Sequence, residues 1–366
     1  MRVLVAPDKF AGTLSAEQAA DAIVAGWRRH APADDLVTAP MSDGGPGFVQ
    51  ALAAGLDGDL LALTVTGPYG APVPATLLVT DQAAYVESAQ ACGLHLTPPD
   101  EREPERATTV GVGELVGAAV DAGARRVVVG LGGSATNDGG AGLLAALGAS
   151  AAADLRAGAG GLGELTTDRR VDLGAARDRL GEVQLVAATD VDNPLLGLRG
   201  ATNVFGGQKG MPDERKPVVD GLLERLAQAT DRETADRPGA GAAGGLGFAL
   251  LLLGAVRKPG VGMVAAALGL AEHCAAADLV LTGEGAFDHT SQTGKVVHGV
   301  ARAAAQAARP CVVLAGRVDV GTRETRALGV DQAYSVSDLV GERAALGDPA
   351  GSVASLAERV ARQWSG

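Results

Sequence analysis

The chain has 366 residues, of which 47% are hydrophobic, and it carries a net charge of −12 at pH 7. This length predicts two domains with ordinary cores, and the acidic balance argues against nucleic acid or an anionic membrane as a partner. The longest apolar stretch, Phe248–Leu253, is too short to span a bilayer, Met1–Ala6 does not resemble a signal peptide, and the isolated cysteines form neither a zinc pattern nor a disulfide framework. These features predict a cytoplasmic protein.

The first elements predict a βαβ unit. Arg2–Ala6 has strand character, and a capping box that begins at Ser15 predicts the start of a helix. A second strand, Leu36–Ala39, leads into the polar turn Met41–Gly45. Alternation of this kind is typical of a parallel sheet.

The middle of the chain has a different pattern. Three short strands separated by Gly/Pro turns, Leu60–Val65, Ala75–Val79 and Ala84–Glu87, predict antiparallel pairing, and a later strand covers Gln184–Ala188. The segment Arg232–Gly245 is rich in glycine, alanine and charge, so we expect a mobile connection near a domain boundary there.

The C-terminal third returns to alternation. Its predicted elements are strand Asp278–Thr282, turn Gly283–Gly294, a helix to about Ala308, strand Cys311–Ala315, a strand near Ala333–Val336 and a final helix from Ser352. We therefore expect an α/β protein with an open parallel-sheet domain built from both chain ends, residues 1–60 and 265–366. A mixed α/β domain, residues 61–264, is expected to be inserted between them.

The segment 125–149 is the most informative one. A β-branched strand, Val127–Val129, ends in a glycine-rich turn with polar side chains, and an Ala/Leu-rich helix follows from about Gly140. Such a layout favours an anion, because the glycines allow close approach and the first helical N–H groups point into the loop. Turn geometry alone is the alternative. The G-x-G-x-x-A match at Gly130 resembles the dinucleotide fingerprint, but a polar insert delays the helix, and the P-loop pattern does not occur.

Lysine usage gives a second indication. Only five of the 31 basic residues are lysines. These lysines are therefore candidate site residues, since a lysine is a compact point charge suited to a phosphoryl group. Lys9, Lys209 and Lys295 lie beside glycines in polar turns, whereas Lys216 and Lys258 are interpreted as surface residues.

Five polar turns follow strands or precede helices: Pro7–Lys9, Met41–Gly45, Gly132–Gly139, Thr189–Pro194 and Gly283–Asp288. In open α/β sheets such turns converge at the carboxyl ends of the strands. An aspartate in a turn, taken alone, is usually a turn or capping residue, but the combination of carboxylates, lysines and glycine loops favours Mg²⁺-assisted phosphoryl transfer. The carboxylates expected to hold the ion belong to Asp190, Asp192, Glu284 and Asp288.

Over nearly its full length the chain resembles the type I glycerate kinases, bacterial enzymes that phosphorylate D-glycerate with ATP. The motifs that carry the resemblance are APDKFAGTLSA, PMSDGG, GLGGSATNDGGAG, ATDVDNPLLG, VFGGQKG, GAAGGLGFAL and LTGEGAFD followed by GK. The resemblance implies a discontinuous flavodoxin-like domain with a second domain inserted in it, an active site in the cleft between them, Mg²⁺ and ATP as cofactors, and usually 2-phosphoglycerate as product. We expect a monomer or homodimer.

We interpret Lys9, Asp43, Asp190 and Lys295 as catalytic. In this hypothesis Mg²⁺ is held by Asp190 and Asp288, Lys209 and Lys295 neutralise developing charge, and either Asp190 or Asp43 accepts the proton of the hydroxyl group. The glycerate carboxylate is expected to bind at Ser42–Gly45 or at Ser134–Asn137. The residues expected to bind the nucleotide are Gly132, Gly133, Ser134, Thr136, Asn137, Asp138, Gly139, Lys209, Gly283, Glu284 and Gly285.

The chain departs from the family pattern at Ala11, Pro46, Gly207 and Thr290, with Gln292 standing two positions after the usual glutamine. These departures leave the carboxylates and glycine loops in place and bear on substrate affinity. Three alternatives stay open: a glycerate 3-kinase or a kinase for a related small hydroxy acid, a non-catalytic sugar-acid sensor, and a nicotinamide-dependent oxidoreductase.

Overall fold

The structure is a computed structural model, and it describes residues 1–10, 12–288 and 295–365. Strands β1 to β11 span Arg2–Val5, Asp35–Thr38, Asp59–Thr66, Pro72–Val79, Ala84–Glu87, Arg126–Gly130, Gln184–Ala188, Val256–Lys258, Leu279–Phe287, Cys311–Val318 and Gln332–Ser335. Helices α1 to α16 span Ala16–His30, Phe48–Gly55, Ser88–Cys92, Val110–Asp121, Ala141–Ala146, Gly174–Leu180, Ala201–Phe205, Lys216–Ala229, Ala242–Leu252, Gly260–Ala267, Leu270–Ala276, Val296–Gln306, Thr322–Ala327, Val336–Val340, Glu342–Gly347 and Pro349–Trp364. Short 3₁₀ helices span Leu94–Leu96, Pro99–Glu101, Ala159–Glu164, Gly207–Lys209, Asp213–Arg215 and Glu233–Asp236.

The chain divides into two compact units. Unit 1 comprises Met1–Asp43, Gln50–Leu56 and Val261–Gly366, and unit 2 comprises Gly44–Val49 and Asp57–Gly260. The predicted boundary at 60/61 falls inside β3, and the one at 264/265 falls inside α10.

Unit 1 is built on a parallel sheet with the strand order β11-β10-β9-β1-β2. Counted within this unit, the order is 5-4-3-1-2, which is the flavodoxin-like arrangement. The predicted fold class is thereby confirmed, because strands from both ends of the chain share one sheet. The strand order reverses between β1 and β9, and this point is where open sheets of this type bind ligands.

Helices α1 and α16 cover this sheet. The capping box predicted at Ser15 is present, since its hydroxyl accepts from the Gln18 N–H at 3.2 Å and the Gln18 side chain accepts from the Ser15 N–H at 2.9 Å. The two helices bury their apolar faces together, with Ile23 and Trp27 of α1 and Leu356 and Val360 of α16 in one core cluster. Full burial of each such side chain contributes about 1.5–3 kcal/mol to the stability of the fold.

Unit 2 is built on a mixed sheet with the order β3-β4-β5-β6-β7-β8. The β3–β4 and β4–β5 pairs are antiparallel, as predicted, and the remaining pairs are parallel. Its core combines β6 with α4 and α5, and includes Val127, Val129, Leu115 and Leu143.

Two segments differ from the sequence predictions. The turn predicted to begin at Gly283 is instead the continuation of β9, because Gly283 pairs with Leu314 and Phe287 with Val318 of β10. A Cβ at Gly283 would lie 2.1 Å from the Leu314 carbonyl oxygen, so this glycine permits close strand packing. The segment Arg232–Gly245 is no loose connection either: Ala235, Ala240 and Ala242 are buried in the core of unit 2.

Across the described residues, no helix combines the length and apolar character needed to cross a membrane.

Candidate active site

In unit 1, polar side chains gather at the carboxyl ends of the parallel strands. They surround a cavity of about 420 Å³, a size typical of small-molecule sites. Its charged end, as we name it, consists of Asp8, Lys9, Asp43, Glu284, Asp288 and Lys295. Of the five turns predicted to carry chemistry, which are separated in sequence, three contribute side chains to this one cavity: Pro7–Lys9, Met41–Gly45 and Gly283–Asp288.

Backbone hydrogen bonds fix the loop after β1 at this cavity. The Asp8 N–H donates to the Gly283 carbonyl at 2.8 Å, and the Met41 N–H donates to the Pro7 carbonyl at 2.9 Å. The loop is therefore tied to β9 on one side and to the segment after β2 on the other. This positions Lys9 between the carboxylates of two loops.

Lys9 is held by both carboxylates. Its Nζ lies 3.3 Å from Asp43 Oδ1 and 3.5 Å from Asp8 Oδ1. Burial lowers the pKa of Lys9, but the charges of Asp43 and Asp8 outweigh burial and raise it above its ordinary value. Lys9 is therefore a permanent cation at neutral pH.

Of the two carboxylates that face Lys9, that of Asp8 is the more deeply buried. Burial raises the pKa of Asp8 to about 6, the charge of Lys9 opposes this shift, and the nearby Asp43 adds to it. A carboxyl group that titrates near neutrality is suited to exchanging a proton at physiological pH. The turn that holds Asp8 was predicted from the sequence, but Asp8 was not among the predicted site residues.

Three further charged groups come from β9 and α12. Glu284 lies within β9 and is only 6% exposed, whereas Asp288 follows the end of that strand and is half-buried. Lys295 is half-buried and occupies the N-cap position of α12. Arg317 and Glu342 also line the cavity and were missed by sequence analysis, because β10 was predicted to end before Arg317 and α15 was not predicted.

In unit 2, the glycine-rich loop after β6 is largely buried. Gly132 is half-buried and Gly133 is exposed, but Ser134 to Gly140 are all buried. The helix that follows, α5, has six residues. The loop is therefore packed into its own unit along most of its length, and only its first glycines present backbone to solvent.

Asp138 braces this loop. Its carboxylate accepts hydrogen bonds from the Thr109 N–H and hydroxyl at 2.9 and 2.8 Å, and from the N–H groups of Gly140 and Gly142 at 3.0 and 3.2 Å. Burial raises the pKa of Asp138 above its ordinary value, and these hydrogen bonds offset only part of that shift. Both carboxylate oxygens are thus used to fix the start of α5.

Glycines of the loop approach the core of unit 2. Gly139 has φ +66°, and a Cβ there would lie 2.7 Å from Leu226 Cδ2. At Gly140, with φ +76°, a Cβ would lie 2.3 Å from the Ala249 Cβ. Close packing of the loop accounts for these two glycines, whereas Gly133, with φ +64°, would meet the ring of Pro46.

Lys209 lies behind the loop and is 2% exposed. Its Nζ donates to Ser134 Oγ at 3.1 Å and to the Thr136 carbonyl at 2.5 Å. Burial lowers the pKa of Lys209 to about 8, although the nearby Cys92 and Asp138 oppose the shift. No carboxylate of the described residues forms an ion pair with it.

Asn137 presents a buried polar atom of a different kind. Its Nδ2 donates to Thr202 Oγ1 at 2.8 Å, whereas its Oδ1 finds no hydrogen-bond donor within the part of the chain that the structure describes. An unsatisfied buried acceptor costs about 1–3 kcal/mol, so a ligand hydroxyl group or a water molecule would stabilise it.

The turn after β7 separates its two aspartates. Asp190 is half-buried, whereas Asp192 is exposed and forms an ion pair with Arg257 at 2.6 Å. An exposed pair of this kind contributes little to stability. Of the carboxylates predicted in this turn, Asp190 is the more enclosed.

Glu87 was missed by sequence analysis. It is 4% exposed and accepts from the N–H groups of Gly47 and Val49 at 3.1 and 3.3 Å, so it holds the segment that follows the PMSDGG motif. Burial raises the pKa of Glu87 above its ordinary value, and those hydrogen bonds offset only part of that shift. The sequence did contain a signal for this residue, because Glu87 is a carboxylate at the end of a predicted apolar strand.

The charged end of the unit 1 cavity fits a hydrated Mg²⁺ ion. It has four carboxylates against two lysines, an excess of negative charge that a divalent cation would neutralise. Among residues 1–10, 12–288 and 295–365, no three or more His, Cys, Asp or Glu side chains are arranged so that they alone could hold a metal ion. Mg²⁺ that binds with substrate phosphates needs only one or two carboxylates and keeps several waters.

The family of the chain follows from comparison with known proteins. The model of the glycerate kinase family matches residues 3–365. The chain belongs to the glycerate kinase family. It is accordingly an enzyme of the kinase class.

Several relatives support this membership. The glycerate kinase of Bacillus subtilis is 41% identical over 92% of this chain and 90% of its own length. The glycerate 2-kinase of Escherichia coli is 40% identical over 93% of this chain and 92% of its own length. A solved structure assigned as a glycerate kinase 2 from Salmonella typhimurium LT2 has a TM-score of 0.78 and 37% identity, and the match covers 100% of this chain and 98% of that one.

Membership in the glycerate kinase family also decides between the open alternatives. The sensor and the nicotinamide-dependent oxidoreductase are set aside, since the family consists of kinases. Of the departures noted in the sequence, Pro46 packs against Gly133 and Gly207 begins a short 3₁₀ helix that ends at Lys209. Ala11, Thr290 and Gln292 lie outside the described residues.

Proposed function

We propose that the protein transfers the γ-phosphoryl group of ATP to the 2-hydroxyl group of D-glycerate, with Mg²⁺, and releases 2-phosphoglycerate. Membership in the glycerate kinase family supports the acid as substrate. The position of transfer is supported by the Escherichia coli relative, which is named a glycerate 2-kinase. A glycerate 3-kinase and a kinase for a related small hydroxy acid are the alternatives.

The observation that carries this proposal is the charged end of the unit 1 cavity. Lysines and carboxylates from β1, β2, β9 and α12 meet there, and this is the set of groups that phosphoryl transfer requires. Bound Mg²⁺ would neutralise phosphate charge, with Asp288 and Asp190 as its proposed ligands. Lys295 and Lys9 would stabilise the negative charge that develops on the phosphoryl oxygens.

The acceptor hydroxyl group needs a base. Asp190 and Asp43 remain the proposed proton acceptors, since a carboxylate within hydrogen-bond reach can orient the hydroxyl group and take its proton. Lys9 contacts Asp43 at 3.3 Å and so fixes the position of its carboxylate.

Recognition of the glycerate carboxylate is proposed at Ser42–Gly45 or at Ser134–Asn137, the two positions expected from the sequence. Within the unit 2 loop, the half-buried Gly132 and the exposed Gly133 are the positions that a ligand can reach. The interdomain position of the site, the cytoplasmic location and a monomeric or homodimeric state stay predictions from the sequence.

A coupled assay with purified enolase tests the proposal. Enolase consumes 2-phosphoglycerate directly but needs a mutase for the 3-isomer. We expect ATP-dependent formation of phosphoenolpyruvate with enolase alone. A requirement for the mutase would instead indicate phosphorylation at the 3-hydroxyl group, and no product in either assay would overturn glycerate as substrate.

A further inference from the structure

We propose that the nucleoside part of ATP binds at the apolar end of the unit 1 cavity, with its phosphates directed to the charged end. This inference rests on the proposed function for the identity of the nucleotide. The apolar end is formed by Val336, Ala345, Leu346, Pro349 and Val353, which we call the nucleoside wall.

The polarity of the cavity changes along the sheet. The nucleoside wall comes from α14, α15 and α16, which follow β11 at one edge of the sheet. Arg317 lies at the end of β10, and the carboxylates and lysines of the charged end follow β9, β1 and β2. Apart from Ser337 and Glu342 on α14 and α15, the lining therefore passes from aliphatic to charged in the order in which the strands lie.

The length of this gradient indicates a nucleotide. Three strand intervals separate β11 from β1 in the sheet. At roughly 4.8 Å per interval, they span about 14 Å. A three-carbon acid would fill a small part of that distance, whereas a nucleoside triphosphate would cover an apolar wall and a charged end together.

The position in the fold agrees with this ligand. The charged end straddles β1 and β9, where the strand order of unit 1 reverses, and open α/β sheets bind nucleotides in the crevice at such a point. The glycine loop of unit 2, which the sequence favoured for the nucleotide, has most of its residues buried in its own unit.

Leu346 provides an independent indication. It is 63% exposed although it lies beside the cavity on α15. A large aliphatic side chain in this place would be covered by the face of a purine ring, and burial of it would favour binding. The neighbouring Ala345 also lines the cavity, whereas Ala344 is exposed and does not line it.

This pair of alanines gives a matched test. Ala345→Trp would fill the apolar end, and Ala344→Trp adds the same side chain one position away. Binding of the Mg²⁺ complex of a non-hydrolysable ATP analogue to the full-length protein is measured by calorimetry, together with competition by inorganic tripolyphosphate. We expect Ala345→Trp to weaken binding of the ATP analogue at least tenfold and Ala344→Trp to change it less than twofold. Tripolyphosphate, which lacks the nucleoside, should bind both variants equally.

Leu346→Glu serves as a second variant at an exposed position, where folding is insensitive to the change, and we expect it to weaken the ATP analogue about fivefold. Unchanged affinity in folded Ala345→Trp and in Leu346→Glu would overturn the inference, as would a loss confined to the KM for glycerate. Failure of the wild-type protein to bind the ATP analogue would overturn it too. A protein that binds the ATP analogue at the nucleoside wall but does not phosphorylate glycerate would contradict the proposed function and support this inference.

Discussion

Lys209→Met tests how unit 2 accommodates a buried cation. The folded protein lowers the pKa of Lys209 from 10.5 to about 8 because the side chain is buried. A base with a depressed pKa contributes stability that is complete above pH 10.5 and is lost as the pH falls through 8. The wild-type protein should therefore become more stable between pH 7 and pH 9, by an amount that Lys209→Met lacks.

The magnitude follows from linkage. Between pH 7 and 9 the unfolded state keeps the proton on Lys209, while the folded state releases it as the pH passes about 8. Each pH unit over which only the unfolded state holds this proton adds roughly 1.4 kcal/mol to the free energy of unfolding. With a pKa of about 8 in the folded state, the interval from pH 7 to pH 9 contains about one such unit. The variant also loses the hydrogen bonds to Ser134 Oγ and the Thr136 carbonyl, but that loss is the same at both pH values. Only the change with pH reports the titration.

Urea unfolding of both proteins at pH 7 and pH 9 provides the assay. Both tryptophans, Trp27 and Trp364, belong to unit 1, so fluorescence reports that unit, whereas circular dichroism reports helices of both units. We expect the gain of roughly 1.4 kcal/mol on going to pH 9 in the circular dichroism transition of the wild-type protein relative to the variant. Identical pH dependence in the two proteins would refute the reasoning, since it would mean that Lys209 keeps an ordinary pKa or stays hydrated.

Three further outcomes are expected. Lys295→Ala should lower kcat far more than it raises the KM for glycerate, because a charge aimed at the phosphoryl group acts mainly in the transition state; steady-state kinetics measure this, and an effect on KM alone would remove the role. Asp190→Asn should keep its circular dichroism spectrum but lose roughly 10²-fold or more activity in an ADP-release assay, since an amide is a poor Mg²⁺ ligand and no base. Activity within a few-fold of the wild type would assign the role elsewhere. Gly140→Ala should lower the free energy of unfolding by about 3 kcal/mol, because of its φ of +76° and a Cβ 2.3 Å from that of Ala249. Gly123→Ala, with φ +84° and no atom within 4 Å, should cost only about 1 kcal/mol, and equal losses would contradict the packing argument.

The alternation of strands and helices was sufficient to predict the architecture. Short-range signals such as the capping box at Ser15 depend on neighbouring residues, so they could be identified without knowledge of the tertiary structure. The extent of β9 could not. Gly283 and Gly285 are turn signals in isolation, but Gly283 pairs with Leu314 of β10, and the pairing with β10 extends the strand to Phe287.

The candidate site was predictable to a similar degree. Because turns after parallel strands share one sheet edge, the approach of Lys9 to Asp43 could be expected from two motifs 34 residues apart. Burial could not be expected. Polar residues of the loop after β6 suggested a solvent-facing cradle, yet Asp138 uses its carboxylate to fix α5, and the core packing of Gly139 depends on Leu226, which is distant in sequence.

The environments of Lys9 and Lys209 explain why a lysine fits better than an arginine at these two positions. At Lys209, a guanidinium group would bring five donors into a space that offers two acceptors, and it could not release its proton to reduce the cost of burial. At Lys9, a compact ammonium group lies between two carboxylates at 3.3 and 3.5 Å, and a larger planar group would fill the charged end of the cavity. Lys295 lies at the same end, beside the start of α12. The lysine is therefore accounted for at Lys9 by the small size of the ammonium group, which leaves the charged end open, and at Lys209 by the size and protonation of that group.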